Sequence, residues 1–509
     1  MRLNLKNISA IILLACFITS CDLDTVPTAS LETKDVFKDT KNAESVLRGA
    51  WQHLFNDGRT YASIGIGSSM LNDDFSGSDV VRTLSYGFSG SYQLTNGYGR
   101  GEYNTVLWDL MYDPINNCNN IIKYIDGVEG TIQDKELIKG QAFATRGFLY
   151  LYLASHYSFA IDKDPDAVCV PIYTEPTDYS IASTGNPASS VSEVYKQALD
   201  DLEEALKLIP SGFSHGSDPK TQYFPDHLVT LGLLARTNLY ARNWQEAYNY
   251  AVEALKLNDY LMNEDEYKKG FNDFNNKEWM WAYSGTVTDN DACYLFHFKD
   301  CTTPGSYYTS VNADPWFKAM YQDGDYRKDL FNWGLTRNKN WALLNSKFKF
   351  KDINNMLADL VLMRSSEMYL IKAEAAARIA GKESEAQQTL QTLRNARMKS
   401  GLAATITETG DALIKEIWKE RRKELWGEGF SLTDIIRNQQ SVERKEYEET
   451  ITVDGEDITV YGHSRVNFAD NSQFEPNSKY YLFRIPEVEE RNNKNLYSKY
   501  PRLSIYDIK

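Results

Sequence analysis

The chain has 509 residues, 42% of them hydrophobic and 25% charged, which supplies apolar content for a large core and excludes a disordered chain. Its 55 Lys and Arg against 70 Asp and Glu give a formal charge of -15; with no basic stripe to offset that balance, the composition argues against a nucleic-acid binder that must neutralise phosphates. Tyr is over-represented, at 33 residues beside 10 Trp, and such amphipathic rings suit wet surfaces as well as cores.

At the N-terminus, Arg2 and Lys6 precede an apolar run from Ile8 to Ile18. That run is about half as long as a membrane-spanning helix needs, and reads as the core of a signal peptide. Ile18-Thr19-Ser20-Cys21 follows directly and resembles the lipobox of bacterial lipoproteins. The resemblance implies that residues 1–20 are removed and that Cys21 carries the lipid. Two acyl chains plus an amide-linked third would anchor the chain stably, where a single chain holds only marginally. Asp22 and Asp24 resemble a surface-export signal of Bacteroidetes lipoproteins, and residues 21–34 read as a tether.

From residue 35 onward the chain reads as one unit. Ala43 to Leu54 places Val46, Ala50, His53 and Leu54 on one helical face, and Val106 to Ile125 repeats the habit with Leu110, Ile121 and Ile125. Between them, 57–104 is rich in Gly, Ser, Asn and Tyr and reads as a long functional loop. Leu137 to Ser158 is a helix apolar almost all round, as an internal helix is. After a Pro-containing link, Asp164 to Pro187, either Ser190 or Ser192 N-caps a helix that runs to Pro210.

The segment His227 to Leu257 has the tetratricopeptide pattern. Leu234, Leu239 and Tyr240 lead into a turn at Arg242-Asn243, and Trp244, Ala247, Ala251 and Ala254 follow, small residues that admit a close second helix. Glu367 to Arg397 repeats it around Gly381-Lys382. Between the two pairs, 260–362 loses helical periodicity; Glu278 to Tyr283 alternates as a strand, with Trp279, Trp281 and Tyr283 on one face. The predicted fold is mostly α, a tetratricopeptide-like α-α superhelix with a loop-rich, aromatic-rich insertion half containing short strands. The scaffold spans about 35–260 and 363–440, and the insertions about 57–104, 261–362 and 440–509.

The chemistry-bearing motifs are few. There is no HExxH or Walker A loop, and Gly65-Ile66-Gly67 and Gly97-Tyr98-Gly99 lack the setting of a dinucleotide site. Cys118, Cys169, Cys293 and Cys301 match no zinc spacing; a Cys293–Cys301 bridge and four separate buried thiols are both open. Glu420, Glu424 and Glu428 suggest a carboxylate pair for glycoside cleavage. Helical spacing favours a structural ion-pair network instead, with Arg421 beside Glu420 and three residues before Glu424, and with Asp434 and Arg437 as further members.

Several motifs then fall in a known order: Gly140-Gln141-Ala142-Phe143-Ala144-Thr145-Arg146-Gly147-Phe148, Val170-Pro171, Met363-Arg364 with Glu367, Tyr369, Leu370, Ala373 and Glu374, Glu420-Arg421 to Glu428-Gly429-Phe430 with Asp434 and Arg437, and Ile485-Pro486 with Glu489. Together with the lipobox they resemble the SusD/RagB family over nearly the whole chain; Tyr500-Pro501 departs from the family's usual ending. The resemblance implies an outer-membrane, lipid-anchored, surface-exposed nutrient-binding protein. It would sit over a TonB-dependent transporter of the SusC type and pass it oligosaccharide or, in some members, peptide, without catalysis.

Sugars offer C–H faces to aromatic rings and hydroxyls to polar side chains, so a binding surface needs both. The 72–104 stretch supplies Asp73, Asp74, Arg82, Tyr86, Tyr92 and Tyr98, with Asn72, Arg100 and Tyr103; the middle insertion supplies Trp281, Tyr283, Tyr307, Tyr308 and Trp316. The two regions are expected to meet in space. Trp108 and Trp244 read as packing residues. A protein-interaction scaffold or a peptide-binding uptake lipoprotein is the alternative, with a helical glycosidase behind both. No cofactor is expected and no nucleic acid; whether calcium stiffens a loop is left open.

Overall fold

The computed structural model describes residues 36–58, 60–83, 86–97, 102–177, 183–215 and 221–500. The expected signal peptide and tether, with Cys21, and the candidates Tyr98 and Arg100 lie outside these residues.

The scaffold is a succession of helices, most of them packed on the one before. α1 (Thr40–Asn56) and α2 (Gly65–Ser76) lead through strand β1 (Val80–Val81) to α3 (Glu102–Tyr124) and α4 (Ile132–Tyr157). Next come the antiparallel pair β2 (Val168–Pro171) and β3 (Ala188–Ser190), α5 (Val191–Leu208), α6 (His227–Tyr240) and α7 (Trp244–Leu257). α4 packs on α5, α5 on α6, and α6 on α7. The array resumes after the insertion with α8 (Ser365–Arg378), which packs on α7, then α9 (Glu383–Asn395), α10 (Gly410–Glu424) and α11 (Ser431–Arg437). No described helix is long and apolar enough to cross a membrane.

Local chemistry explains the boundaries. Ser190 is the N-cap of α5: its hydroxyl accepts from Glu193 N at 3.2 Å and the Glu193 carboxylate accepts from Ser190 N at 2.7 Å, a complete capping box. In the repeat turn Arg242 adopts φ 64°, and Gly381 adopts φ 81° at the equivalent turn between α8 and α9. Ala247, Ala251 and Ala254 of α7 are fully buried, as the repeat pattern requires.

Three elements differ from the sequence reading. The buried face of α1 is Ala43, Leu47, Ala50, Trp51, Leu54 and Phe55, rotated from Val46 and His53, because Trp51 seats against Phe148 and Trp281. The 57–104 stretch holds α2, every residue of which is buried. Its Gly and Ser residues serve close packing: a Cβ on Gly67 would lie 2.8 Å from Leu295 Cδ1. The link after α4 pairs as β2 and β3.

In the insertion, β1, β5 (Asn312–Ala313), β7 (Trp341–Asn345) and β6 (Phe331–Leu335) form one antiparallel sheet in that order. β4 (Trp279–Ser284) pairs antiparallel with β8 (Asp359–Arg364) through two register shifts, so its rings do not share one exposed face; Trp279 to Tyr283 are all buried. The tail adds an antiparallel hairpin, β9 (Glu448–Val453) and β10 (Glu456–Tyr461). Cys118, Cys169, Cys293 and Cys301 are four separate buried thiols; Cys293 Sγ donates to Ala358 O and Cys301 Sγ to Val311 O, each at 3.3 Å.

A buried charge network joins scaffold to insertion. Glu424 receives Arg364 and Arg397 at 2.8 Å and Arg327 at 2.6 Å; Glu420 receives Arg327 and Arg394 at 2.6 Å and Lys423 at 2.7 Å. Glu428 pairs with Lys347 at 2.6 Å and Arg364 at 2.8 Å, and Arg364 also holds Glu278. Arg421 does not hold Glu420 or Glu424. One residue along the helix it points to another side, where it meets Asp434 at 2.7 Å and Glu367 at 3.5 Å. Asp434 and Glu374 in turn clamp Arg437.

Candidate functional site

Tyrosines from the two irregular regions meet at one place, built on the segment 296–311. Asp300, fully buried, fixes its start: one carboxylate oxygen accepts from Thr302 N and Thr303 N, the other from Phe350 N. The chain then curls back, so that Tyr308 N and Thr309 N donate to His297 O, and Ser310 N and Val311 N to Phe298 O. Gly305 at φ 99° makes the turn.

This curl lays two tyrosines flat on two buried rings. Tyr307 stacks on His297 with centroids 4.1 Å apart, and Tyr308 on Phe298 at 4.3 Å. Tyr61, from the 57–104 stretch, lies parallel to Tyr308 at 5.6 Å, and Tyr294 stands across Tyr61 at 6.4 Å with its hydroxyl 2.9 Å from that of Tyr308. Tyr61 is 40% and Tyr307 49% exposed, so the four rings form a shelf open to solvent over a packed floor. Burial pushes His297 down to about 4, with Asp300 opposing and Arg337 reinforcing the shift. At neutral pH the floor is uncharged, and its Nδ1 accepts from Tyr307 N at 3.3 Å.

Polar groups stand at the edge. Arg337 lies over the Tyr307 ring at 5.0 Å and donates to Ser306 O at 3.2 Å. Arg82 donates through Nε to Gly87 O at 3.0 Å. Gly87, at φ 60°, rests on Phe298: a Cβ there would lie 2.8 Å from Phe298 Cε1. Tyr86, 64% exposed, is its neighbour in the chain. Rings flanked by planar donors can grip a sugar face and its substituents together.

Of the residues singled out from sequence, Tyr307, Tyr308 and Arg82 gather here, and Tyr86 is exposed next to Gly87 in the chain. Five others are taken up by the interior. Trp281 is 2% exposed, wedged edge-on against Trp51, with Nε1 donating to Tyr223 O at 2.7 Å. Tyr283 stacks on Phe55 at 4.2 Å. Tyr92 is buried beneath Arg444, its hydroxyl 2.8 Å from His463 Nδ1. Asp73 pairs with His156 at 3.0 Å, and Asp74 accepts from Gly429 N at 3.0 Å while burial raises its pKa to about 8. All five are 3% exposed or less.

Trp316 is 49% exposed but belongs to a different patch: its Nε1 donates to Glu446 O at 3.2 Å and its ring meets Tyr447 edge-on at 5.8 Å. Trp108 and Trp244 pack as expected, the first between Tyr112 and Tyr157, the second under Arg378. Sequence reasoning did not single out Tyr61, Tyr294, His297 and Arg337 for this site. The Tyr-rich composition of both irregular regions was their only signal.

The carboxylates considered for glycoside cleavage are in the charge network. Glu420 and Glu424 are fully buried; burial opposes ionisation there, and the surrounding arginines outweigh it, holding both far below the usual carboxylate range.

A model of the SusD family matches residues 240–502, and one described as starch-binding associating with outer membrane matches residues 68–239. The chain belongs to the SusD family. A SusD-like carbohydrate binding protein from Bacteroides vulgatus, known by crystal structure, is 48% identical and superposes with a TM-score of 0.86, over 92% of this chain and 100% of that one. SusD-like protein P38 of Formosa agariphila is 23% identical, the match covering 86% of this chain and 92% of that protein. A laminarin binding SusD-like protein shares the fold, at 18% identity and a TM-score of 0.62 over 79% of this chain and 92% of its own.

Proposed function

We propose that this SusD-family chain binds a glycan on the Tyr61–Tyr294–Tyr307–Tyr308 shelf and hands it to a SusC-like TonB-dependent transporter in the outer membrane. It would be held at the cell surface by lipid on Cys21 and act without catalysis or a cofactor. The single observation that carries the reading is the shelf: four tyrosines, two of them two-fifths or more exposed, held on buried rings beside two arginines.

Such a site suits capture and release. Stacked rings on a preformed floor lose little freedom on binding, and each sugar adds only a modest increment after desolvation, so affinity grows with chain length. A non-catalytic role is supported by the fate of Glu420 and Glu424, which, held ionised by arginines, have no proton to give a leaving group. The carbohydrate binding named for the 48%-identical relative supports the ligand class.

Affinity electrophoresis on a panel of polysaccharides tests the reading. Retardation by at least one glycan is expected, and its loss in Tyr307→Ala and Tyr61→Ala. No retardation on any, or release of reducing ends during incubation, would overturn it. Pull-down from membranes tests the transporter, and a Cys21→Ser variant shed into the medium is expected if the anchor is the lipid.

A further inference from the structure

Most buried arginines in this chain are answered by an acid. Arg146 meets Asp201, Arg236 meets Glu367, and Arg437 meets Glu374, all within 3 Å, beside the network around Glu420 and Glu424. Acids are in surplus, 70 against 55 bases, so an arginine without one is not a matter of supply. Among the described residues, Arg82 and Arg337 have no carboxylate within the 4.0 Å of an ion pair. Both stand at the edge of the tyrosine shelf.

Their placement is fixed by the fold. Arg82 follows β1 directly, and Asn312 of β5 donates both to Thr83 Oγ1 at 3.0 Å and to Thr309 O at 3.1 Å. Thr309 Oγ1 accepts from Arg337 N at 3.2 Å. Asn312 and Thr309 thus tie the segments carrying Arg82, Tyr307–Tyr308 and Arg337 to one another. Arg82 Nη2 is covered and donates to no described residue, and a guanidinium turned toward the shelf would answer a planar anion better than a sugar hydroxyl. Arg337 is exposed, lying over the Tyr307 ring with a carbonyl for Nη1.

We infer that the shelf takes an anionic glycan, one whose sugars carry carboxylate or sulfate groups, with Arg82 and Arg337 reading that charge while the tyrosines hold the ring faces. The inference rests on the shelf being the glycan-binding surface. A guanidinium meets either oxyanion with two parallel N–H bonds, a geometry that lysine does not reproduce. On a chain of charge -15 a polyanion is repelled at a distance, so local guanidiniums are the means by which such a ligand is held.

The test compares polygalacturonate with its carboxyl-reduced form, chondroitin sulfate with its carboxyl-reduced form, and neutral laminarin, by affinity electrophoresis and calorimetry at low and high salt. Binding to an acidic polymer is expected, weakened tenfold or more by Arg337→Gln or Arg82→Gln, less by Arg337→Lys, and weakened by salt. Loss on carboxyl reduction assigns carboxylate; binding of chondroitin sulfate that survives reduction assigns sulfate. Where Arg82→Gln lowers the melting temperature, Arg337→Gln carries the test. Binding that is equal for the acidic and uncharged polymers and unchanged by either Gln variant, yet lost in Tyr307→Ala, would overturn the inference and leave the shelf standing. Binding to none of the five, or binding untouched by Tyr307→Ala, would overturn both.

Discussion

The charge network around Glu424 and the shelf around Tyr308 are built from the residue types that glycan chemistry uses, carboxylates in one and rings in the other, and they end with opposite capacities. In the network every acid is surrounded: Glu424 alone takes three arginines, and its carboxylate is held ionised with no solvent access. In the shelf the rings rest on a packed floor while Tyr61 and Tyr307 stay two-fifths or more exposed, and among the described residues the nearby guanidiniums have no acid to neutralise them. A side chain whose valences are filled by the fold is structural whatever its type; one left half-filled is available.

The sharpest way to break this contrast is to remove a network member. Glu424→Gln leaves three arginines sharing one fewer charge in a dry interior, and should cost about 3–5 kcal/mol in denaturant unfolding; a cost under about 1 kcal/mol would mean that the network is not closed. Trp281→Ala should cost a similar amount, about 3–5 kcal/mol, through the cavity left against Trp51 and Phe148, and refolded protein should still bind whatever the wild type binds.

Acid provides the next test. Arg437 holds Glu374 at about 2, below its ordinary 4.5, against the opposing effect of burial. A depressed carboxylate contributes stability above its unfolded pKa and loses it as pH falls toward the folded one. Stability should therefore drop by about 3 kcal/mol between pH 5 and 2 from this group. Glu374→Gln should flatten that part of the pH profile; an unaltered slope would refute the assignment.

The smaller effects sharpen the other side. Tyr307→Ala removes a half-exposed ring and should cost less than about 1 kcal/mol of stability while weakening glycan binding by about tenfold, or 1.4 kcal/mol. Ser190→Ala, which breaks the capping box of α5, should cost about 1 kcal/mol of stability and leave binding alone.

The helical scaffold was legible because its signals are local: the Arg242-Asn243 turn, the buried alanines of α7 and the Ser190 cap each act within a few residues. α2 was not, since Gly-Ile-Gly-Ser-Ser reads as loop, and only neighbours on every side make those small residues a packing solution. The shelf was half legible. Tyr307, Tyr308 and Arg82 were within reach of composition, yet Trp281 and Tyr283 carried the same signal and went to the core.

By itself the sequence determined the class of fold, the family and the chemical types that the ligand surface draws on, since periodicity, caps and motif order are properties of neighbours along the chain. Which tyrosines face water, which acids are silenced and which arginines stay unanswered was decided only when segments two hundred residues apart met. Burial and charge pairing depend on what lies opposite, and nothing within a few positions of Tyr61 or Tyr308 specifies that each will lie beside the other.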